Sequence, residues 1–420
     1  YLERYYISET SFNGSEKNRQ LLIDPSRGSL DQSRRFLTHP FTVAGERWKT
    51  VTDSWNICMS TQTSANLLFW IEKHTEMWQG PISVSVYTPD VDYTIAVKII
   101  SFLQTCIPAV RQRVSFHFSY PHKLPPVYVT DDDKNDLEYD CESIESVNEA
   151  LVDKYRTYRL REILRKQPYP QNILRNIARK GCPNEYTFTP DVDMLLTPGM
   201  SDEINDFVSL NSTQSCTKCA FVIPTYEIHA IVKTNPANKN ELRKLVKQSK
   251  ARGFHSRVYQ PNQGNSNLPR WESQNMDKKL DIMYNITSWK KSWEPIYIAK
   301  ADIPLYDERF IGYGFTRSSQ VYEMHIADYT WHMLNNAFLC HRGFQTSKKK
   351  DTLRRMQINQ NSRRYPMFLK EVYARYNKSA EEYEKKTKVH SILNKYLEEI
   401  PENKYSPKTR HPKEKNLLKI

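Results

Sequence analysis

The sequence predicts an α/β fold on a parallel sheet, and three stretches carry that prediction. Ile82-Ser83-Val84-Ser85-Val86-Tyr87 and Val114-Ser115-Phe116-His117-Phe118-Ser119-Tyr120 alternate with period two, and Trp55-Asn56-Ile57-Cys58-Met59-Ser60-Thr61 reads as a third strand ending in hydroxyls. Helical patterns at about 64–78 and 90–105 separate them, which implies a right-handed parallel winding with ligands at the strands' C-terminal edge. Gly80-Pro81 marks the first helix's end.

Residues 1–50 are polar and irregular, a stem or wrapping segment. Asp131-Asp132-Asp133 opens an acidic loop best read as a solvated insertion, since three consecutive carboxylates cannot converge without strain. A long helix is expected at about 142–166 and a short one at Asn172–Arg179, stopped by Gly181. Arg175 and Arg179 lie four apart and share a face, either as a solvated basic stripe or as cations for a diphosphate or a carboxylate.

Glu185-Tyr186-Thr187-Phe188-Thr189-Pro190-Asp191-Val192-Asp193-Met194-Leu195-Leu196 reads as a buried strand ending in two carboxylates. Strand alternation would turn Asp191 and Asp193 to one side, where two hard oxygen ligands suit Mg²⁺ or Mn²⁺ beside a diphosphate. Pro190 is out of place in such a strand because it lacks a backbone donor. Thr-Pro-Asp-Val-Asp also occurs at 88–92, ahead of an amphipathic run, so there Asp90 reads as a helix N-cap and Asp92 as a first-turn residue.

Downstream, Ala220–Ile228 reads as another strand. An aromatic and acidic cluster follows in Trp293-Glu294-Pro295, Tyr306-Asp307-Glu308-Arg309-Phe310 and Tyr313-Gly314-Phe315. Rings beside carboxylates suit a carbohydrate, and they also suit an ordinary core edge. His341 ends the apolar run Ala337-Phe338-Leu339-Cys340 before Gly343, a place from which imidazole can complete a carboxylate metal site.

The net charge is +13, yet residues 346–420 hold 20 Lys+Arg against 9 Asp+Glu, which leaves only +2 on the body. A polyanion groove needs its cations on the fold, so nucleic acid is excluded as the partner. Residues 346–420 read instead as a basic helical or disordered extension, solvated or at a membrane surface. No apolar run is long enough to span a bilayer, and the first residue, Tyr1, suggests a leader or anchor removed from the chain. Seven cysteines leave at least one unpaired, and Cys216-Thr217-Lys218-Cys219 lacks a partner at zinc-module spacing. Sequons at Asn13, Asn211, Asn285 and Asn377 mildly favour a secretory compartment.

Tyr169–Arg179, Asp191–Met194, Asn238–Leu242, Trp293–Pro295, Asp307–Phe310 with Tyr313–Phe315, and Phe338–Phe344, together with Trp78–Val86, occur in an order that resembles glycosyltransferase family 49, the β-1,4-glucuronyltransferases of the dystroglycan matriglycan pathway. A more distant likeness is to the glucuronyl domain of the xylosyl/glucuronyltransferases. The resemblance implies a glycosyltransferase-A fold, with a Rossmann-like nucleotide-sugar half (51–200) in a mixed sheet and an acceptor half (201–345), flanked by 1–50 and 346–420. It implies an inverting transfer of glucuronate from UDP-glucuronate to a β-xyloside-type acceptor in O-mannosyl glycan synthesis, with Mn²⁺ or Mg²⁺, in the Golgi lumen behind a type II anchor. It places Asp191, Asp193 and His341 on the metal, and Arg175, Asn176, Asp191 and Thr61 on the nucleotide. Lys239, Arg179, Trp293 and Glu294 fall to the sugars, Asp307 or else Glu308 to the general base, and Cys106 to a disulfide with Cys141. A UDP-xylose or UDP-N-acetylglucosamine donor, a non-catalytic glycan-binding role and a homodimer stay open.

Overall fold

In a computed structural model of the chain, the structure describes residues 23–24, 28–130, 141–275, 279–290, 292–346 and 351–381. Asp131–Asp133 and half of the stem, residues 1–22 and 25–27, lie outside them. Residues 1–378 form one compact unit, and residues 379–420 form a second of which three residues are described.

The first five strands are β1 (Ser29–Leu30), β2 (Phe36–Val43), β3 (Ile57–Ser64), β4 (Ile82–Tyr87) and β5 (Val114–Pro121). Then come β6 (Tyr186–Phe188), β7 (Met194–Leu196), β8 (Cys219–Ile223), β9 (Thr225–Ile228) and β10 (Ala251–Gly253). The last are β11 (Ile282–Ile286), β12 (Ile296–Lys300), β13 (Thr330–Leu334) and β14 (Leu339–Arg342). Ten of them form one mixed sheet in the order β1-β2-β5-β4-β3-β6-β12-β8-β13-β11, and four form a second, β10-β9-β14-β7. The run β5-β4-β3-β6 is parallel throughout, which is the Rossmann-like half read from the sequence. Antiparallel β12 joins it to the parallel pair β8 and β13, making the sheet mixed. The expected stem contributes β1 and β2, which close the β5 edge.

The alternation in β4 and β5 marks two different buried faces, because every residue of β4 is buried. Their small polar face, with Ser83, Ser85, Ser115 and His117, lies under the helix Gln171–Lys180 and lets its backbone approach closely. Ser83 Oγ donates to the Ala178 carbonyl at 2.6 Å and meets His117 Nε2 at 2.8 Å, while the Phe41 amide donates to His117 Nδ1 at 2.8 Å. Gly181 ends the helix against this cluster: a Cβ there would sit 2.4 Å from both Ser83 Oγ and His117 Nε2.

The paired-acid segment is not one strand. β6 stops at Phe188, the chain turns at Asp191-Val192-Asp193, and β7 continues in the second sheet. Pro190 sits in that break, where its missing donor costs nothing. Pro224 marks the same step between β8 and β9, which divides the expected 220–228 strand. The expected long helix also divides, into Ile144–Tyr155 and Tyr158–Lys166, where Thr157 caps the second by accepting from the Leu160 amide at 3.3 Å. Asp90 takes positive φ (53°) two residues before the helix Asp92–Cys106, so it is not that helix's N-cap; Asp92 in the first turn pairs with Arg156 at 2.7 Å.

The compact unit continues past residue 345, so the helix Thr352–Arg375, expected in a basic extension, packs on the body. Its buried residues Asn361, Tyr365, Phe368 and Val372 recur at helical spacing, and Tyr365 and Phe368 meet the Phe310 ring. Asn361 Nδ2 donates to the carbonyls of Ile311, Tyr313 and Gly314 at 3.0 Å each, securing a loop with positive-φ glycines at 312 and 314. Cys106 pairs with Cys141, Cys58 with Cys182, and Cys216 with Cys219, leaving buried Cys340 free. No helix among the described residues is long and apolar enough to cross a membrane.

Candidate active site

The break between the sheets brings the two distant acidic and imidazole elements together. β7 pairs with β14 so that Met194 faces His341, and His341 Nε2 lies 3.4 Å from Asp193 Oδ2. His341 Nδ1 donates to the Gly343 carbonyl at 3.1 Å, which turns Nε2 toward Asp193 and toward the Gln345 side-chain amide nitrogen, 3.0 Å away. Burial alone would lower the His341 pKa, but Asp193, the Gly343 carbonyl and Glu227 outweigh it and raise it. Glu227 is fully buried and accepts from Arg252 Nε, the His255 amide and the Gln345 amide, so it holds the loops around the imidazole.

Asp191 belongs to a second, adjoining arrangement. Its Oδ1 accepts from Arg175 and from Arg317, each at 2.9 Å, and both arginines are nearly buried. Burial would raise this carboxyl, yet Arg317 and Arg175 hold it well below the usual carboxylate range. The three ligand atoms of Asp191, Asp193 and His341 do not all lie within 4.8 Å of one another. The turn itself is pinned from β3: Thr61 Oγ1 donates to the Pro190 carbonyl at 3.0 Å, and Ser60 Oγ meets Thr189 Oγ1 at 2.8 Å. Thr61, expected on the nucleotide, is thus a support of the acidic turn.

Glu294 joins the Asp191 cluster. Its carboxylate accepts from Asn262 Nδ2 at 3.0 Å, and burial raises its pKa against the pull of Arg317, Ser318 and Arg175. Its neighbour Trp293 is buried among Trp289, Trp331 and Ser266, so it is core and offers no ring to a sugar. Lys239 is buried as well, over the Trp271 ring with its ammonium on the Asn335 carbonyl.

Asn176 and Arg179 point to the loop after β12. Asn176 donates to the Tyr306 carbonyl and Glu308 and accepts from the Tyr306 amide; Arg179 donates to the carbonyls of Ala301, Ile303 and Pro304. Their polar groups shape that loop, where the expectation was a nucleotide contact for Asn176 and a sugar contact for Arg179. Asp307 makes a two-point pair with Arg309, which also binds Glu371 on the C-terminal helix. Asp307 and Glu308 line a cavity of about 700 Å³ with Arg309, Glu323, Glu371 and Arg375; Asp191, Asp193 and His341 are not among its lining residues.

Arg317 was not singled out in the sequence, although a signal was there. A cation in the first turn of the helix Thr316–Ile326 opposes the helix dipole and so calls for a specific anion.

The family described as "Glycosyl-transferase for dystroglycan" matches residues 56–377, which takes in the C-terminal helix. The chain belongs to this glycosyltransferase family. It is similar to the zebrafish (Danio rerio) protein named Beta-1,4-glucuronyltransferase 1, 33% identical over 73% of this chain and 72% of that protein. It is similar also to the human protein of that name, 29% identical over 79% and 78%. Human Xylosyl- and glucuronyltransferase LARGE1 is 22% identical over 81% of this chain and 41% of its own length. A solved structure of GalNAc-T7 with UDP, GalNAc and Mn²⁺ has a TM-score of 0.37 at 7% identity, over 82% of this chain and 58% of that one. As a member of the family, the chain is a glycosyltransferase.

Proposed function

We propose that this glycosyltransferase moves glucuronate from UDP-glucuronate to a β-xyloside-type hydroxyl of an O-mannosyl glycan, by inverting displacement at the turn between β6 and β7. The observation that carries the reading is the meeting of Asp193 with His341 beside an Asp191 clamped by two arginines. The donor set fits a divalent cation: one carboxylate oxygen and one imidazole nitrogen whose other nitrogen is anchored on a carbonyl, the arrangement typical of metal-ligating histidine. Asp193 and His341 would hold a Mn²⁺-class ion, which would supply positive charge to the departing diphosphate.

Asp191, held ionised by Arg175 and Arg317, fixes the turn that carries Asp193 and keeps two buried cations beside the nucleotide's phosphates. The general base passes from Asp307 to Glu294. Asp307 is committed to Arg309, whereas the Glu294 carboxyl adjoins the arginine pair and has its pKa raised by burial. The acceptor hydroxyl's proton goes to Glu294 as its oxygen attacks the donor's anomeric carbon, and the bond to the diphosphate breaks on the opposite side. The names of the relatives support glucuronate as the sugar. Three disulfides and three exposed sequons at Asn211, Asn285 and Asn377 support the lumen of the secretory pathway, with the Golgi and a type II anchor as the proposed setting. A donor panel of UDP-glucuronate, UDP-xylose and UDP-N-acetylglucosamine, each with and without EDTA, tests the reading. Turnover of UDP-glucuronate alone, abolished by EDTA, is expected; EDTA-resistant turnover, or transfer only from another donor, overturns it.

A further inference from the structure

A second group of metal-ligating atoms lies outside this site. Cys219 opens β8 directly opposite Thr330 of parallel β13, and His332, two residues further on, projects from the same face. This brings His332 Nε2 to 3.2 Å from Cys219 Sγ and 2.9 Å from Thr330 Oγ1. Cys216 stands three residues ahead of Cys219 and is joined to it by a disulfide. Among the described residues this is the group in which three ligand atoms, from Cys216, Cys219 and His332, fall within 4.8 Å of one another.

The histidine is prepared for ligation. Asn285 Oδ1 can only accept, and it lies 2.7 Å from His332 Nδ1, so the ring proton is on Nδ1 and the Nε2 lone pair faces the sulfurs. The Phe221 ring, 5.7 Å away, packs beside the imidazole. Two thiolates and a neutral imidazole are the soft and borderline ligands that select zinc-class ions, with a water or Thr330 Oγ1 in the fourth position. The group sits at the start of β8, whereas the chain reaches the second sheet and His341 past the other end of that strand.

We propose that Cys216, Cys219 and His332 form a redox-gated site for a zinc-class cation, closed by the disulfide and opened by a dithiol reductant. The reductant's two thiols deliver two electrons and two protons to the S–S bond and become a disulfide themselves. Binding of one divalent ion to the two freed cysteines then releases both thiol protons. The site does not depend on the transferase reading.

The test uses the full chain, reduced under native conditions with a phosphine reductant, desalted without oxygen and titrated with Co²⁺ alone. Thiolate-to-cobalt charge-transfer absorption reports sulfur ligation and is silent for an oxygen and nitrogen site such as Asp193 with His341. The expected result is one equivalent of this absorption per reduced chain and none before reduction. It should be lost in Cys216→Ser and in Cys219→Ser, retained in Asp193→Ala, and weakened about tenfold or more in affinity by His332→Gln. Thiol counting and the thermal transition, followed in parallel, establish that each variant is folded and which disulfide opened. A reduced, folded wild-type chain without the absorption, absorption that survives Cys219→Ser, or a Cys216–Cys219 bond that stays closed under the reductant would each overturn the proposal.

Discussion

Replacing Arg317 by methionine should destabilise the protein by about 3 kcal/mol. Its guanidinium is nearly buried and donates to Asp191 Oδ1 at 2.9 Å and to the Thr189 carbonyl at 3.1 Å. Removing one member of a buried ion pair costs roughly 3–5 kcal/mol because the remaining charge is left uncompensated. Arg175 still pairs with Asp191, whose side chain is 28% exposed, so the lower end of that range applies. The assay is urea unfolding at pH 7 of the wild type, Arg317→Met, Asp191→Asn and the double variant. The double variant should cost about 2 kcal/mol less than the sum of the singles, because once the carboxylate is gone the missing cation matters less. The Asp191 pKa is depressed in the fold, so its contribution is present above the unfolded value, about 3.9, and lost as pH falls toward the folded one. The wild type's advantage over Arg317→Met should therefore shrink below about pH 4. Additive single effects, to within about 0.5 kcal/mol, would refute the coupling and with it the account of how the acidic turn is held.

Gly181→Ala should cost about 1–3 kcal/mol by lifting the helix Gln171–Lys180 off Ser83 and His117, and should weaken donor binding through Arg175; an unchanged thermal transition would contradict this close packing. The His117 pKa is pushed down to about 3 by burial, so the folded state resists its protonation and stability falls as pH drops below about 6.5, by up to about 1.4 kcal/mol per pH unit. His117→Gln should remove one proton's share of that slope in pH-dependent unfolding, and an unaltered slope would count against it. Truncation after Lys378 should preserve the cooperative thermal transition and truncation after residue 345 should abolish it, because only the second removes Asn361, Tyr365 and Phe368. Glu294→Gln should lower turnover by about 10²-fold or more with UDP binding unchanged, while Asp307→Asn keeps most of it; the reverse ranking would return the base to Asp307.

Much of the first half of the fold was legible because β4, β5 and the helices between them obey simple periods. What the alternation could not reveal is that the serine and histidine face is covered, since the covering helix lies beyond Gln171 and packs by tertiary contact alone. Pro190 was the local sign that the acidic strand had ended, and the pairing of β7 with β14 explains why Asp193 and His341 meet even though alternation along one strand does not place them. Neither composition nor the resemblance shows that Trp293 is buried or that Arg179 and Asn176 bond to the loop after β12. A ring, a guanidinium or an amide beside acids looks the same whether it serves a ligand or a neighbouring backbone, and only burial and partners separate the two. The C-terminal helix was hidden by its charge, although Asn361, Tyr365, Phe368 and Val372 recur on one face.

Calorimetric titration of the wild type, Asp193→Ala and His341→Ala with UDP, with and without Mn²⁺, probes the cation site itself. UDP affinity should rise with Mn²⁺ in the wild type, and that rise should disappear in both variants while their folding transitions persist. A Mn²⁺-dependent gain that survives in Asp193→Ala or His341→Ala would contradict a donor site built where β7 meets β14.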